Sequence, residues 1–289
     1  MNVEDYIVAR VNALMHTQDA AIVRRLEGGM SNYTYVVEVR GKRYTYRVPG
    51  KYAEKFVDRV EEWDNIQEVN RLQLNNATSY VEIISGEKLA EYVEGTILSE
   101  TDVVSYNALS VAALKKIHGS DMHFRDYNAF GRLDDYERYC RETGFIHPRE
   151  YNLLRGKLEK MREEHADVVL VPCHCDYQPT NLVISEDRLY VLDWEFAGMN
   201  DPIYDIACYG NAGFDKALSL LEAYVGHVPN SNELRRLYFH RSFQCIQWYN
   251  VAVFKERVGL SRDLNMDFNS VAAFFFSMAS NLAAQYDSL

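Results

Sequence analysis

The chain has 289 residues, 47% of them hydrophobic, which is ordinary for a globular protein and leaves room for two cores. The formal net charge of −11 argues against a nucleic-acid partner, because neutralising phosphates requires clustered Lys and Arg. We expect no insertion into membranes, because no apolar stretch is long enough to span one. We also expect a cytoplasmic protein, because the N-terminus is acidic and the five cysteines, an odd number, suggest no disulfide framework. These properties leave the oligomeric state open.

Strand-like segments dominate the first third of the chain. They predict a strand at residues 21–26, a hairpin of residues 33–39 and 42–48, and a second hairpin of residues 80–84 and 88–93. Between the hairpins, apolar residues at three- and four-residue spacing predict a helix at residues 53–74. Residues 1–93 are therefore expected to form a β-rich lobe.

The chain changes character at about residues 91–95, which we interpret as a hinge. After it, helical periodicity predicts helices at residues 103–118, 148–164, 216–225, 231–258 and 266–285. Short β-rich runs interrupt the helices at residues 168–171, 182–184 and 189–192. The sequence therefore predicts an α+β fold with a β-rich N-terminal lobe and a mainly helical C-terminal lobe of residues 96–289.

One loop of the second lobe carries the most informative pattern. His174-Cys175-Asp176 is followed at a fixed spacing by Asn181, then by a predicted hairpin that ends at Asp193. Phosphoryl transfer needs a carboxylate that accepts the proton of the attacking hydroxyl and hard oxygen ligands that hold Mg²⁺ against the phosphates. We therefore expect Asp176 to be the catalytic base, and Asn181 and Asp193 to be the metal ligands.

The residues around Asp193 resemble a known family. The run Leu192 to Gly198, L-D-W-E-F-A-G, and the D-I-A that starts at Asp205 are similar to the choline kinase and aminoglycoside phosphotransferase branch of the kinase-like superfamily. Within it, the pattern resembles that of the bacterial lic-type choline kinases. The resemblance covers nearly the whole chain and implies a bilobal protein-kinase-like fold. It also implies transfer of the γ-phosphoryl group of ATP to choline, with Mg²⁺ and with phosphocholine as the product.

A glycine-rich loop and a cation are expected on the nucleotide side. Gly29, Ser31 and Asn32 lie between two predicted strands, where backbone N–H groups can close over phosphates, although a plain hairpin turn would explain the same residues. By resemblance, Arg47 on the following strand holds the α- and β-phosphates, which an arginine can bind in bidentate fashion.

The remaining nucleotide-side residues follow from the same resemblance. The partner of Arg47 is expected to be Glu62 on the next helix, with Glu68 as the rival and a solvated helix face as the alternative explanation. The segment E-Y-V-E-G resembles the family's hinge. It implies that adenine pairs with the backbone of Glu91 and Val93.

Choline is a quaternary ammonium ion, so a specific site needs aromatic faces and nearby negative charge. By resemblance, Trp194, Glu195 and Tyr209 lie on the acceptor side, and Trp248 on the long C-terminal helix forms a second wall. Aromatic residues on such a helix are more often core residues. Cys245 stands where the family has an aromatic residue, a departure that leaves the details of the pocket open.

Two other classes of function remain open. One is a kinase for a different small molecule, namely ethanolamine, thiamine or an aminoglycoside. The other is a nucleotide-binding pseudokinase, which the presence of the base and of both metal ligands disfavours. Cys173-His174-Cys175 lacks a second pair of ligands, so a zinc site is not expected. Asp205 is expected to brace either the catalytic loop or the N-terminus of its own helix, and not to contact the substrate.

Overall fold

The computed structural model describes residues 2–26 and 32–289. The chain divides into two compact units. The first comprises Met1–Leu98 with Asn181–Ala197, and the second comprises Ser99–Thr180 with Gly198–Leu289. In the part of the chain that the structure describes, no helix combines the length and apolar character needed to cross a membrane.

Helices and strands follow one another along the chain in two groups. The helices are α1 (Val3–Met15), α2 (Arg59–Val69), α3 (Asn107–His118), α4 (Ala129–Glu142), α5 (Arg149–Glu163), α6 (Pro202–Tyr209), α7 (Phe214–Val225), α8 (Ser231–Arg257), α9 (Leu260–Leu264) and α10 (Phe268–Tyr286). The strands are β1 (Ala21–Leu26), β2 (Asn32–Val39), β3 (Lys42–Pro49), β4 (Thr78–Val81), β5 (Lys88–Glu91), β6 (Thr96–Ile97), β7 (Val171–Cys173), β8 (Leu182–Ser185), β9 (Arg188–Val191) and β10 (Gly198–Asn200).

The first unit is built on an antiparallel sheet in the order β1-β2-β3-β5-β4. Ile7 and Val11 of α1 pack with Val37 and Tyr46 of the sheet in a buried core. Both predicted hairpins are confirmed by the strand pairing. Helix α1 was not predicted from the sequence.

The predicted helix of residues 53–74 is wrong at its start. Ala53–Lys55 form a short 3-10 turn, and the α-helix begins only at Arg59. Asp58 sets this start, because its carboxylate accepts hydrogen bonds from the backbone N–H groups of Val60 and Glu61. The resulting register buries Arg59 and Glu62.

Residues 181–197 cluster with the first unit, whereas the division drawn from the sequence places them in the C-terminal lobe. The physical reason is strand pairing. Strand β6 pairs with β8, and β8 pairs with β9, so this hairpin extends a small sheet that starts in the N-terminal part of the chain. The backbone N–H of Val191 also donates to the carbonyl of Leu74, at 2.8 Å.

The second unit is mainly helical, as predicted. Helix α8 is buried along most of its length and contacts α4, α6 and α10. Strand β7 pairs with β10 and leads into the loop that carries Asp176. The strand that was predicted at residues 168–171 instead begins at Val171 and runs through Pro172 to Cys173.

Candidate active site

The loop after β7 is held by a buried carboxylate in the second unit. Asp205 accepts hydrogen bonds from the backbone N–H groups of His174, at 2.9 Å, and Cys175, at 2.7 Å. The Asp205 carboxylate also contacts Nε2 of His118 at 3.0 Å, and the other ring nitrogen of His118 lies 2.9 Å from the hydroxyl of Tyr224. Asp205 therefore fixes the backbone directly before Asp176, as the sequence led us to expect.

Asp176 is mostly buried, at 8% exposure. Its backbone N–H donates to Nδ1 of His174 at 3.2 Å, and its side-chain Oδ2 accepts from the amide Nε2 of Gln178 at 3.1 Å. Cys175 adopts a left-handed backbone conformation, with φ of 60°. Gln178 was missed by the sequence analysis. Its position inside the motif, two residues after the expected base, was the signal that could have found it.

A hairpin in the first unit returns the chain to Asn181. The register pairs Leu182 with Val191, and the backbone N–H of Leu192 donates to the carbonyl of Asn181 at 2.8 Å. Asp193 is the next residue, so the backbone brings the two expected metal ligands close together. Asp193 has a φ of 65°, and its side chain is 35% exposed.

The donor atoms of these residues suit Mg²⁺. A carboxylate and an amide oxygen are the hard ligands that this ion prefers. Carboxylate oxygens of Glu62, Asp193 and Glu195 lie within 4.8 Å of one another. The two glutamates are almost fully buried against arginines, whereas Asp193 retains substantial exposure. Asp193 is thus the carboxylate of this group that can reach an ion.

Arg47 lies at the centre of a buried network of charges. Its Nη2 donates to Glu62 at 2.7 Å, and its Nη1 lies 3.2 Å from Glu195 and 3.5 Å from Asp193. Arg59 also joins Glu62 and Glu195, at 2.7 and 2.8 Å. The expected contact between Arg47 and Glu62 is therefore present. The rival Glu68 instead pairs with Arg71 at the surface.

Lys88 completes this network, which contains three cations and three carboxylates from the described residues. Its Nζ lies 3.1 Å from Glu62 and 3.8 Å from Asp193. Burial by itself would raise the pKa of Glu62, but Lys88, Arg47 and Arg59 outweigh burial and hold that pKa well below its usual range. Burial and the charge of Asp193 raise the pKa of Glu195.

The other nucleotide-side residues lie in the sheet, directly after it or outside the described residues. Gly29 and Ser31 fall among the residues that the structure does not describe, and Asn32 is the first residue of β2. The backbone N–H of Glu91 donates to the carbonyl of Ala77 at 2.8 Å, and its carbonyl accepts from the side chain of Asn76. Val93 follows β5 and is half-buried. Their roles in nucleotide binding stay predictions.

The residues expected on the acceptor side differ in burial. Trp194 is 2% exposed, and its indole N–H donates to the carbonyl of Val191. Tyr209 is fully buried, and its hydroxyl contacts Ser110 and the carbonyl of Val103. Glu195 is buried in the charge network. These three side chains are engaged within their own units.

Trp248 differs, because it is half-buried in a part of α8 whose neighbouring residues are buried. Its ring stacks with that of Phe275 on α10, at 6.5 Å between centroids and 25° between planes. Phe275 was missed by the sequence analysis. The three phenylalanines at residues 274–276 are predicted from the sequence only as part of the helix at residues 266–285.

Comparison with known proteins places the chain in a family. The model of the phosphotransferase enzyme family matches residues 22–238. Protein LicA of Haemophilus influenzae is 28% identical over 249 residues, which cover 80% of this chain and 73% of that protein.

Solved structures show the same relationship. The crystal structure of choline kinase LicA from Streptococcus pneumoniae superposes with a TM-score of 0.82 and 26% identity, covering 98% of this chain and 99% of that one. A structure of LicA in complex with AMP superposes with a TM-score of 0.81 and 24% identity, covering 99% of each chain. The expected α+β, protein-kinase-like fold is confirmed. The chain therefore belongs to the phosphotransferase enzyme family and is a small-molecule kinase.

Proposed function

We propose that this kinase transfers the γ-phosphoryl group of ATP to the hydroxyl of choline and releases phosphocholine and ADP. The observation that carries the choice of acceptor is the similarity along almost the full chain to choline kinase LicA of Streptococcus pneumoniae. The half-exposed aromatic pair of Trp248 and Phe275 supports it, because a quaternary ammonium ion is recognised by aromatic faces.

Asp176 is the proposed base. Its carboxylate accepts the proton of the choline hydroxyl as the oxygen attacks the γ-phosphorus, and the bond from that phosphorus to the bridging oxygen of ADP breaks. The hydrogen bonds from the backbone N–H groups of His174 and Cys175 to Asp205 support this role, because they fix the loop that carries the base.

Asn181 and Asp193 are proposed to hold Mg²⁺. The ion, when bound, supplies positive charge against the phosphate oxygens. On the protein side, Arg47 is proposed to supply positive charge for the α- and β-phosphates from within the buried network, where Glu62 keeps its guanidinium in place. The 2.7 Å contact between these two side chains supports that assignment. We also propose that Gly29, Ser31 and Asn32 bind the phosphates and that adenine pairs with the backbone of Glu91 and Val93.

On the acceptor side, we assign the direct contact with the choline head group to Trp248. Trp194, Glu195 and Tyr209 are buried and already hydrogen-bonded or ion-paired, so we place them behind the binding surface and not in contact with the head group. This changes the assignment that we drew from the sequence, and burial is the reason.

The first experiment measures ADP release by the purified protein with Mg²⁺ and each of choline, ethanolamine, thiamine and kanamycin. Asp176→Ala tests the base, and Asp187→Ala, an exposed acid in the turn between β8 and β9, is the matched control. We expect turnover with choline, its loss in Asp176→Ala and no change in Asp187→Ala. Turnover only with another acceptor would overturn the assignment of choline.

A second experiment tests the aromatic contact. Trp248→Ala is expected to raise the KM for choline about 3- to 30-fold, the range for losing one cation–π contact, and to leave the KM for ATP unchanged. Trp248→Phe retains an aromatic face and should recover most of the loss. Equal effects of both variants would show that tryptophan acts there through packing and not through its ring face.

A further inference from the structure

Arg241 in the middle of α8 is a buried cation that the proposed mechanism does not use. It is 1% exposed, and among the residues that the structure describes its guanidinium forms no ion pair with an aspartate or glutamate. Burying a charge without an opposite charge is costly, so a group of this kind calls for a specific role. Its Nε atom also has no hydrogen-bond partner within the described part of the chain.

The guanidinium has neutral acceptors around it. Nη2 donates to Oδ1 of Asn211 at 2.7 Å and lies 3.7 Å from the sulfur of Met278, and Nη1 donates to Oε1 of Gln244 at 3.3 Å. The residue before Asn211 is Gly210, where a Cβ would lie only 3.2 Å from Cδ of Arg241. The glycine therefore allows the arginine to pass beneath the segment that carries Asn211.

A guanidinium can donate hydrogen bonds but cannot accept them, and this fixes the direction of the next two bonds. Asn211 must present its oxygen to Arg241, so its Nδ2 faces Oε1 of Gln178, at 2.8 Å. Gln178 must then present its Nε2 to Oδ2 of Asp176, at 3.1 Å. The chain of bonds runs one way, from the buried cation to the carboxylate of Asp176.

We propose that Arg241, Asn211 and Gln178 are positioning residues for Asp176, an inference that rests on the proposed function of Asp176 as the base. The charge of Arg241 orients the amides of Asn211 and Gln178, and the oriented Gln178 holds the carboxylate of Asp176 at one angle. Without that orientation, either amide could rotate and present its oxygen to the next group, which would repel the carboxylate.

Asn211→Asp tests the direction of the chain. The aspartate keeps the shape of the side chain and still accepts from Arg241, but it cannot donate to Gln178. We expect kcat to fall about tenfold, the effect of one lost positioning hydrogen bond, with the KM for ATP within about twofold of its original value. Asn269→Asp adds the same charge at an exposed position of α10 and should leave kcat unchanged.

The double variant Asn211→Asp/Gln178→Ala shows whether the effect passes through Gln178. We expect it to be no slower than Gln178→Ala alone, because Asn211 has no further route to Asp176 in this chain of bonds. A further tenfold loss in the double variant, or an unchanged kcat in Asn211→Asp, would overturn the proposal. Thermal melts of each variant exclude unfolding as the cause of slow turnover.

A readout that does not depend on turnover separates this inference from the proposed function. In ¹⁵N-labelled protein, the side-chain N–H₂ resonances of Gln178, assigned by their loss in Gln178→Ala, report its orientation. We expect them to shift in Asn211→Asp and to stay in place in Asn269→Asp. Unshifted resonances would overturn the chain of bonds, whereas shifted resonances in an enzyme inactive on every acceptor would count only against the proposed function.

Discussion

Arg59 offers the sharpest test of the buried charge network in the first unit. Its Nη1 lies 2.7 Å from Glu62 and 2.8 Å from Glu195, and all three side chains are at most 7% exposed. Replacing Arg59 with methionine leaves two cations, Arg47 and Lys88, with three carboxylates. Among the residues that the structure describes, Glu195 then has only Arg47 within ion-pair distance, at 3.2 Å.

The expected cost of Arg59→Met follows from this imbalance. Removing one partner of a buried ion pair costs about 3–5 kcal/mol, because the remaining charge stays buried without compensation. In Arg59→Met/Glu195→Gln, the network returns to two cations and two carboxylates. We therefore expect the double variant to lose less free energy of unfolding than the single variant, with a coupling of at least about 1 kcal/mol.

Urea unfolding followed by tryptophan fluorescence measures these free energies. Arg71→Met is the matched control, because Arg71 follows the same helix and pairs with Glu68 at the surface, where an ion pair contributes about 0–1 kcal/mol. Glu195→Gln is measured as well. The reasoning from charge balance would be refuted if Arg59→Met lost less than about 1 kcal/mol of unfolding free energy. It would also be refuted if the loss in the double variant equalled the sum of the losses in Arg59→Met and Glu195→Gln.

The other expectations concern the catalytic loop, a glycine and pH. Asp205→Asn should lower kcat about 10- to 100-fold without changing the KM for ATP, because an amide cannot accept both backbone N–H groups of the loop; an unchanged kcat would contradict the bracing role. Gly86→Ala should cost about 1–3 kcal/mol in urea unfolding, since φ is +78° and a Cβ would lie 2.5 Å from Nε of Arg59. Burial lowers the pKa of His147 and His165, so the unfolded chain binds more protons and the free energy of unfolding should fall as pH drops below about 6.5. His147→Gln should flatten that dependence, and an identical slope would argue against burial as its cause.

Local patterns were enough to predict much of the fold. Strands β2 and β3 have a tight turn between them and alternate along their length, so pairing and register follow from adjacent residues. The return of Asp193 toward Asn181 was predictable for the same reason, because a short hairpin fixes where its ends meet. The loop that we propose to be catalytic was singled out because its polar residues have a fixed spacing.

Helices with few buried apolar residues were not predicted from the sequence. Helix α1 buries only Ile7 and Val11, and α4 buries Leu133, Tyr136 and Cys140 among charged neighbours. Such helices depend on what they pack against, which periodicity does not reveal. The start of α2 was missed because a capping residue, Asp58, outweighed the apolar spacing that continues before it.

Burial was the property of the site that local sequence could not give. Trp194 and Glu195 follow Asp193 directly, so proximity along the chain suggested contact with a ligand. Whether a side chain faces a ligand or the interior depends on partners far away in the sequence. For Glu195 these are Arg47 and Arg59, which are more than 130 residues earlier.

Two carboxylates with proposed catalytic roles are held by opposite means. Asp193 lies at the edge of a network of full charges, where each substitution changes the electrostatic balance of a buried cluster. Asp176 lies in a loop whose backbone N–H groups donate to Asp205, and its carboxylate accepts from Gln178, one of two neutral amides that a single buried cation orients. Substitutions in the charge network leave a charge buried without a partner and therefore lower the free energy of unfolding. Substitutions among the amides near Asp176 leave their dipoles misaligned and therefore lower kcat. Stability and turnover should thus separate, with Arg59→Met lowering mainly the free energy of unfolding and Asn211→Asp lowering mainly kcat.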